Sequence, residues 1–261
     1  MALAQPLADV SHLPLEKAER ELRVQLAAAY RLVDYFGWTE LIYGHLTVRV
    51  PGPDNHFLIN PYGLNYDEVS ASNLVKVDIN GNIIGRSDYP VSIAGFIIHS
   101  AIHMANMADN KCVMHTHTRA GMAIAAIEEG LLPVSMASTA LFDRIAYHDY
   151  EGPSLDIGER ERLLAHLGDK RAMILRNHGL LVVGRTIPET FLRLYRLERA
   201  CQIQLDAAAA GTLNLIPDAI AAQSGRDTDA FSARETNQGV GAIEFAALMR
   251  KLDKIDPSYR T

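Results

Sequence analysis

Two histidines separated by one residue end a short apolar run in the segment KCVMHTH, residues 111–117. Side chains alternate along a β-strand, so His115 and His117 point to the same face if this run is a strand. Two imidazoles on one face can chelate a divalent metal such as zinc. The same spacing also fits a strand that simply ends at the surface, so the pair alone leaves both interpretations open.

A third histidine, His178, lies in the segment RNHGLL between two apolar runs. This segment predicts a tight turn, where a functional residue is easily presented, although a single turn histidine is commonly structural. Three histidines at one end of a sheet would leave a coordination position open for water or substrate. That arrangement is typical of catalytic rather than structural metal sites.

Three more histidines are candidates by position. His99 and His103 are four residues apart in a predicted helix and therefore share a face, which fits either a polar stripe on a buried helix or part of a site. His45 precedes the strand-like run LTVRV, where a loop residue can enter a cleft or lie in solvent.

The elements that must position these residues follow from hydrophobic periodicity. Apolar residues at three- and four-residue spacing predict a first helix from Leu15 to Gly37. Short strand-like runs, a helix from Ser92, and alternating strands and helices up to about residue 210 follow. Residues 211–240 are polar and rich in turn formers, and a last helix is expected at 242–252. This order predicts one layered α/β or α+β domain with a central sheet covered by helices.

Composition limits the class of protein. The chain has 261 residues, 48 % of them hydrophobic, and a net charge of -6 without a basic stripe, which argues against nucleic acid and anionic membranes as partners. No apolar run approaches the roughly 20 residues that span a bilayer, and the N-terminus does not resemble a signal peptide. Two cysteines suggest no disulfide framework, so a cytoplasmic location is expected.

Several segments in order resemble one family. HTHT, the later NHG, AGFIIHSAIH, YDEVSASNLVKVD and GLLPVSMASTALFDRIAYHDYEG are similar to the class II aldolase/adducin family, and specifically to its adducin-like branch. The resemblance runs from about residue 22 to residue 205. It implies a three-layer α/β/α sandwich with a central, mainly antiparallel sheet, assembled as a homotetramer. The expected organisation is a flexible lead (1–14), the family domain (15–210) and a C-terminal extension (211–261) whose final helix packs on this domain or on a neighbouring subunit.

The resemblance also implies a metal. The three histidines that hold a divalent ion in the family's aldolases map onto His115, His117 and His178. One ion per subunit is expected, with zinc first and manganese, cobalt or nickel as alternatives, because imidazole accepts all of them. The ion would act as a Lewis acid for an enediolate formed beside a carbonyl group.

Two departures from the aldolase pattern are as informative. The position of the aldolases' catalytic glutamate falls on Gly95, and their phosphate loop is similar in position to NPYG, in which only Gly63 is retained. Standard sugar-phosphate aldolase chemistry needs both a base and a phosphate cradle. The sequence therefore argues against that reaction.

The chemistry that survives these departures is carbon–carbon cleavage of a small oxo or hydroxy acid, by decarboxylation or by retro-aldol cleavage. Decarboxylation needs no base to remove a carbon-bound proton. The expected proton donors are His45 first, then His99 or His103, and the expected substrate contacts are Asn60, Tyr62 and Gly63. The alternative is a non-catalytic, adducin-like module that binds protein partners.

Overall fold

One sheet and the helices on its two faces make up the fold. The structure, a computed structural model, describes residues 9–52, 55–152, 158–235 and 239–261. The strands are β1 His45–Arg49, β2 Phe57–Ile59, β3 Val75–Val77, β4 Cys112–Thr116, β5 Ile145–His148, β6 Ala172–Leu175 and β7 Gly179–Gly184. The α-helices of the described residues are α1 Leu15–Tyr35, α2 Ile93–Ala105, α3 Arg119–Ala125, α4 Met136–Thr139, α5 Glu159–Leu167, α6 Ile187–Ala210, α7 Asp218–Glu235 and α8 Ala242–Ile255.

The seven strands lie in the order β3-β2-β1-β4-β7-β6-β5. All neighbouring pairs are antiparallel except β5 and β6, which are parallel. The central, mainly antiparallel sheet expected from the resemblance is thereby confirmed.

Alternation along the central strands produces two cores. Residues such as Leu46, Met114 and Val182 face one large buried cluster with α1, α6 and α8. Their neighbours Val113 and Val183 face a smaller cluster with α2 and α5. Because the central strands β4, β7 and β6 are buried on both faces, helices must cover the sheet on both sides, which gives the expected three-layer α/β/α sandwich.

The long helices begin and end at residues that the sequence marks. Thr186 caps the N-terminus of α6, accepting a hydrogen bond from the Glu189 backbone N–H at 3.2 Å, and Pro188 follows in the first turn. Gly37, with a φ of 68°, follows the C-cap of α1. No helix among the described residues has the length and apolar character needed to cross a bilayer.

The C-terminal segment differs from the prediction. Residues 211–240 were expected to form turns, but α7 occupies much of this stretch. Its sequence is polar and contains Gly225, so periodicity gives little signal, and tertiary contacts hold it instead. The Thr139 and Ser224 hydroxyls lie 2.9 Å apart, and Arg144 pairs with Asp229 at 2.8 Å.

The last predicted helix is confirmed as α8. It packs on the same domain, where the Phe191 and Phe245 rings lie 5.5 Å apart. Much of the expected flexible lead, residues 1–8, lies outside the described residues. The domain boundaries stay a prediction.

Candidate metal centre and its surroundings

The sheet brings the histidine pair and the turn histidine together. His115 lies in β4 and His117 follows the strand's last residue, while β4 pairs with β7 so that His115 lies opposite Leu181. The turn between β6 and β7 carries His178, whose backbone N–H bonds to the Leu175 carbonyl at 3.0 Å. Asn177 in this turn has a φ of 56°, a left-handed conformation that asparagine tolerates.

The three imidazoles converge through their Nε2 atoms. The Nε2 atom of His117 lies 2.7 Å from that of His115 and 3.0 Å from that of His178. Nδ1 of His115 donates to the Leu180 carbonyl at 2.8 Å, so its Nε2 carries the lone pair in the neutral ring. Lone pairs at such distances repel unless a proton or a cation lies between them. The donor set therefore fits a divalent metal, with each residue offering one ligand atom and all three within 4.8 Å of one another.

Burial keeps these rings in the form that binds metal. It lowers the pKa of His117 to about 4 and that of His178 to about 4. Burial also lowers the pKa of His115 well below its usual range, and the imidazoles of His117, His178 and His99 add repulsion. At neutral pH all three are neutral imidazoles, as coordination requires.

Tight packing fixes the backbone around the triad. A Cβ at Gly179 would lie 2.5 Å from the Thr116 carbonyl oxygen and 3.2 Å from the His117 ring, so only glycine fits there. Directly after His117, the Thr118 hydroxyl donates to the buried Glu198 carboxylate at 2.5 Å. These contacts limit movement of both segments that carry the histidines.

His45 takes the space that a side chain at position 95 would need. It pairs with His115 across β1 and β4, so both side chains leave the same face of the sheet. A Cβ at Gly95 would lie 2.0 Å from His45 Cδ2 and 2.2 Å from its Nε2. The glycine and the histidine are thus sterically matched. Burial lowers the pKa of His45 to about 4, so this ring is also neutral.

His99 and His103 share a face of α2, as their spacing predicts, and Thr47 of β1 joins them. The Thr47 hydroxyl lies 2.7 Å from His99 Nδ1 and 2.8 Å from His103 Nε2. His103 Nδ1 lies 2.6 Å from the Asn110 carbonyl. The His99 ring stands edge-on to His45, with centroids 6.2 Å apart.

The structure places the three predicted substrate contacts in different surroundings. Asn60 is buried, and its Oδ1 lies 2.9 Å from the Tyr30 hydroxyl and 3.3 Å from His45 Nδ1, so it supports His45. Tyr62 is half-buried and Gly63 is exposed. Within the described part of the chain, no hydrogen bond or ring contact connects either residue to the histidines.

Sequence reasoning missed two residues of this region. Thr47 lies two residues after His45 on β1, so strand alternation placed it on the same face and could have found it. Tyr150, exposed beyond the end of β5, stands edge-on to His178 with ring centroids 6.3 Å apart. No local pattern identifies it, because β5 reaches the site only through its pairing with β6.

A family model describes this combination of fold and residues. The model for the class II aldolase and adducin N-terminal domain matches residues 24–205, most of the chain. The chain belongs to the class II aldolase and adducin family. The expected family is confirmed.

Members of this family with solved structures share the whole architecture. An aldolase II superfamily protein from Pseudomonas syringae is 47 % identical, with a TM-score of 0.85 over 93 % of this chain and 96 % of that one. An L-fuculose 1-phosphate aldolase from Glaciozyma antarctica is 30 % identical, with a TM-score of 0.83 over 96 % of both chains.

Adducins are also related by sequence. Mouse alpha-adducin is 44 % identical over 257 residues, which cover 94 % of this chain and 34 % of that protein. This chain thus spans about a third of the adducin's length.

Proposed function

We propose that the protein is a divalent-metal-dependent lyase that cleaves a carbon–carbon bond in a small oxo or hydroxy acid. The observation that carries the proposal is the convergence of three neutral imidazole Nε2 atoms from His115, His117 and His178. Three protein ligands leave one position for water or substrate, which is the arrangement of catalytic metal sites. A purely structural site would use a closed set of four.

The residues around the triad define which reactions suit it. A bound divalent metal supplies Lewis acidity, which withdraws charge from an oxygen beside the carbon that loses its bond. Gly95 offers no carboxylate base, and the His45 imidazole stands in its place. Because His45 Nδ1 faces Asn60 Oδ1, its neutral ring presents an Nε2 lone pair toward α2. In retro-aldol cleavage, His45 Nε2 would accept the substrate's hydroxyl proton and return it to carbon, whereas in decarboxylation it would first take up a proton from solvent. His99 is the second candidate for this role.

Two reactions fit these residues. Decarboxylation leaves an electron pair on carbon without removal of a carbon-bound proton, so a weak acid suffices to complete it. Retro-aldol cleavage needs a group that accepts a hydroxyl proton, and support for it comes from the likeness to the L-fuculose 1-phosphate aldolase at 30 % identity.

Finer features belong to the same proposal. Zinc is the first choice of metal, and manganese, cobalt or nickel are alternatives, because imidazole binds all of them. Asn60, Tyr62 and Gly63 are proposed to contact the substrate, and Asn60 also to position His45. We propose a homotetramer in the cytoplasm, a location supported by the two buried free thiols, Cys112 and Cys201.

Metal analysis tests the proposal first. The purified protein is expected to hold about one divalent ion per chain, and the double variant His115→Ala/His178→Ala none. His12→Ala, a change at an exposed histidine, serves as the control and should retain the metal. A full complement of metal in the double variant would refute the assignment of these histidines as metal ligands.

A reaction screen tests the lyase. Small oxo acids are assayed for release of carbon dioxide, and hydroxycarbonyl compounds for release of an aldehyde. Activity should disappear with a chelator and return with added zinc. Turnover that survives complete removal of metal would rule out the proposed role of the ion.

The second candidate function is a non-catalytic, adducin-like interaction module. Two observations favour it: the missing carboxylate at Gly95 and the 44 % identity to alpha-adducin. A protein that binds no metal and turns over none of the screened compounds would support this candidate instead.

A further inference from the structure

A chain of hydrogen bonds runs from the end of α2 to the middle of its buried face. It begins at the Asn110 backbone carbonyl and passes through His103 and Thr47 to His99. His99 is 1 % exposed, and its Nε2 atom has no hydrogen-bond partner among the described residues. A buried, unpartnered ring nitrogen is uncommon, because it loses its hydration without compensation.

The Asn110 carbonyl determines which group donates and which accepts in each of these hydrogen bonds. A carbonyl oxygen only accepts, so His103 Nδ1, 2.6 Å away, must carry the proton. Burial lowers the pKa of His103 to about 3, so the ring is neutral and its Nε2 accepts from the Thr47 hydroxyl. The single proton of Thr47 is then used, and its oxygen can only accept from His99 Nδ1. Burial lowers the pKa of His99 well below its usual range, so this ring is neutral too and its other nitrogen carries no proton.

The carbonyl end is itself held firmly. The Asn110 side-chain amide donates to the Ile102 carbonyl at 2.9 Å, and its oxygen accepts from Arg171 at 2.9 Å. Arg171 also pairs with Asp109 at 2.9 Å. We call the hydrogen-bond chain through His103, Thr47 and His99 the relay. If every donor and acceptor in it were exchanged, this anchored carbonyl would face a ring nitrogen without a proton.

We infer that Thr47 and His103 are positioning residues that hold His99 in its Nδ1–H tautomer, so that the His99 Nε2 lone pair is a built-in acceptor for a ligand hydroxyl group. The tautomer follows from the hydrogen bonds between buried, neutral rings, whereas the ligand rests on the proposed function. His99 lies one helical turn after Gly95, on the same face of α2. The acceptor therefore stands beside the position where the family's aldolases carry their carboxylate.

This assignment selects between the two proposed reactions. An acceptor lone pair suits a substrate whose hydroxyl group donates at this point, and it offers nothing to a keto oxygen, which is an acceptor itself. A hydroxycarbonyl substrate is thus favoured over an oxo acid.

Nitrogen NMR of histidine tests the tautomer directly. In metal-free protein labelled with ¹⁵N-histidine, long-range ¹H–¹⁵N spectra at neutral pH are expected to show His99 with a protonated Nδ1 and an unprotonated Nε2. His99→Gln assigns the signals. A protonated Nε2 on His99 in the unmodified protein would overturn the inference.

Two variants of Thr47 test the relay. Thr47→Val removes the hydroxyl at similar volume, and His99 is expected to shift toward the Nε2–H tautomer. Thr47→Ser keeps the hydroxyl and should restore the original spectrum. An unchanged tautomer in Thr47→Val would show that the relay does not position His99.

A matched pair of probes tests the ligand class. With zinc-loaded protein, L-lactate should change the chemical shift of His99 Nε2, and pyruvate at the same concentration should not. An unchanged chemical shift with lactate, or equal changes with both compounds, would contradict the inference that His99 Nε2 accepts from a ligand hydroxyl group. Metal content separates the failures: protein without metal but with the expected tautomer refutes the proposed function alone, and protein with metal and a protonated His99 Nε2 refutes the relay alone.

Discussion

Two groups of histidines on the same side of this sheet use their ring nitrogens differently. His115, His117 and His178 turn their Nε2 atoms toward one another, and His115 anchors its Nδ1 on a backbone carbonyl. His99 and His103 are connected in series through Thr47. Convergent lone pairs make a site for a cation, whereas a chain of donors and acceptors fixes a tautomer. The comparison shows that rings in both groups are desolvated and neutral, although His117 and His178 are only half-buried, and that the geometry of the ring nitrogens assigns their roles.

Removal of a convergent ligand should have the largest effect. Loss of a residue that merely supports a metal ligand typically weakens metal binding by about 10- to 100-fold, so His115→Ala should weaken it by more than that. Isothermal titration of apoprotein with zinc measures the change. Thr47→Val should leave zinc affinity within a few-fold of the unmodified protein. A similar loss in both variants would abolish the distinction between the two groups.

Crowding the backbone of the metal-ligating group should come next. Gly179→Ala places a Cβ 2.5 Å from the Thr116 carbonyl, and overpacking of this kind typically costs about 1–3 kcal/mol of unfolding free energy. Zinc affinity should fall as well, because the His117 ring lies 3.2 Å from the new atom. Urea denaturation and zinc titration measure the two effects.

A second glycine provides the control for this change. At Gly211 an added Cβ meets open space and the backbone is extended, so Gly211→Ala should alter neither property. Full stability and zinc affinity in Gly179→Ala would show that the β6–β7 turn does not constrain the triad.

The match between Gly95 and His45 should give a smaller, background-dependent effect. Gly95→Ala forces the His45 ring away from a position 2.0 Å from the new Cβ and should cost about 1–2 kcal/mol, since a side chain can move. In a His45→Ala background the cost should largely vanish. Urea denaturation of the four proteins gives the coupling energy by a double-mutant cycle. Additive effects would mean that the histidine does not occupy the site of the absent side chain.

The most gradual effect concerns pH, because it accumulates over several pH units. Burial lowers the pKa of His103 to about 3, against about 6.5 in the unfolded chain, so the unfolded state binds the extra proton between these values. The unfolding free energy of metal-free protein should therefore be highest above pH 6.5 and fall as the pH drops toward 3. Each such histidine contributes a slope of up to about 1.4 kcal/mol per pH unit.

A variant isolates the contribution of His103. In His103→Leu the slope should be shallower than in the unmodified protein by about that amount, as measured by urea denaturation at a series of pH values. Identical slopes in the two proteins would indicate that His103 is protonated in the folded state, and the polarity of the relay would then be wrong.

Much of the site was accessible from sequence because its signals are local. His115 and His117 share a face through strand alternation, and His99 and His103 share one through helical spacing, so each pair was visible without a fold. The turn at Asn177 to Gly179 was equally visible, and the structure places His178 beside the pair. The helix α7 was not visible, because its stability comes from contacts with Thr139 and Arg144 rather than from its own apolar pattern.

The sequence by itself determined the layered α/β fold, the family and the residue types available for chemistry, since these follow from periodicity and ordered motifs. Only the tertiary structure decided which residues meet. It seated His45 in the space left by Gly95, placed Asn60 against His45, and brought Thr47 between two histidines of α2. The physical reason is that strand pairing and helix packing join residues some fifty positions apart, and no local pattern encodes which ring nitrogen will face which partner.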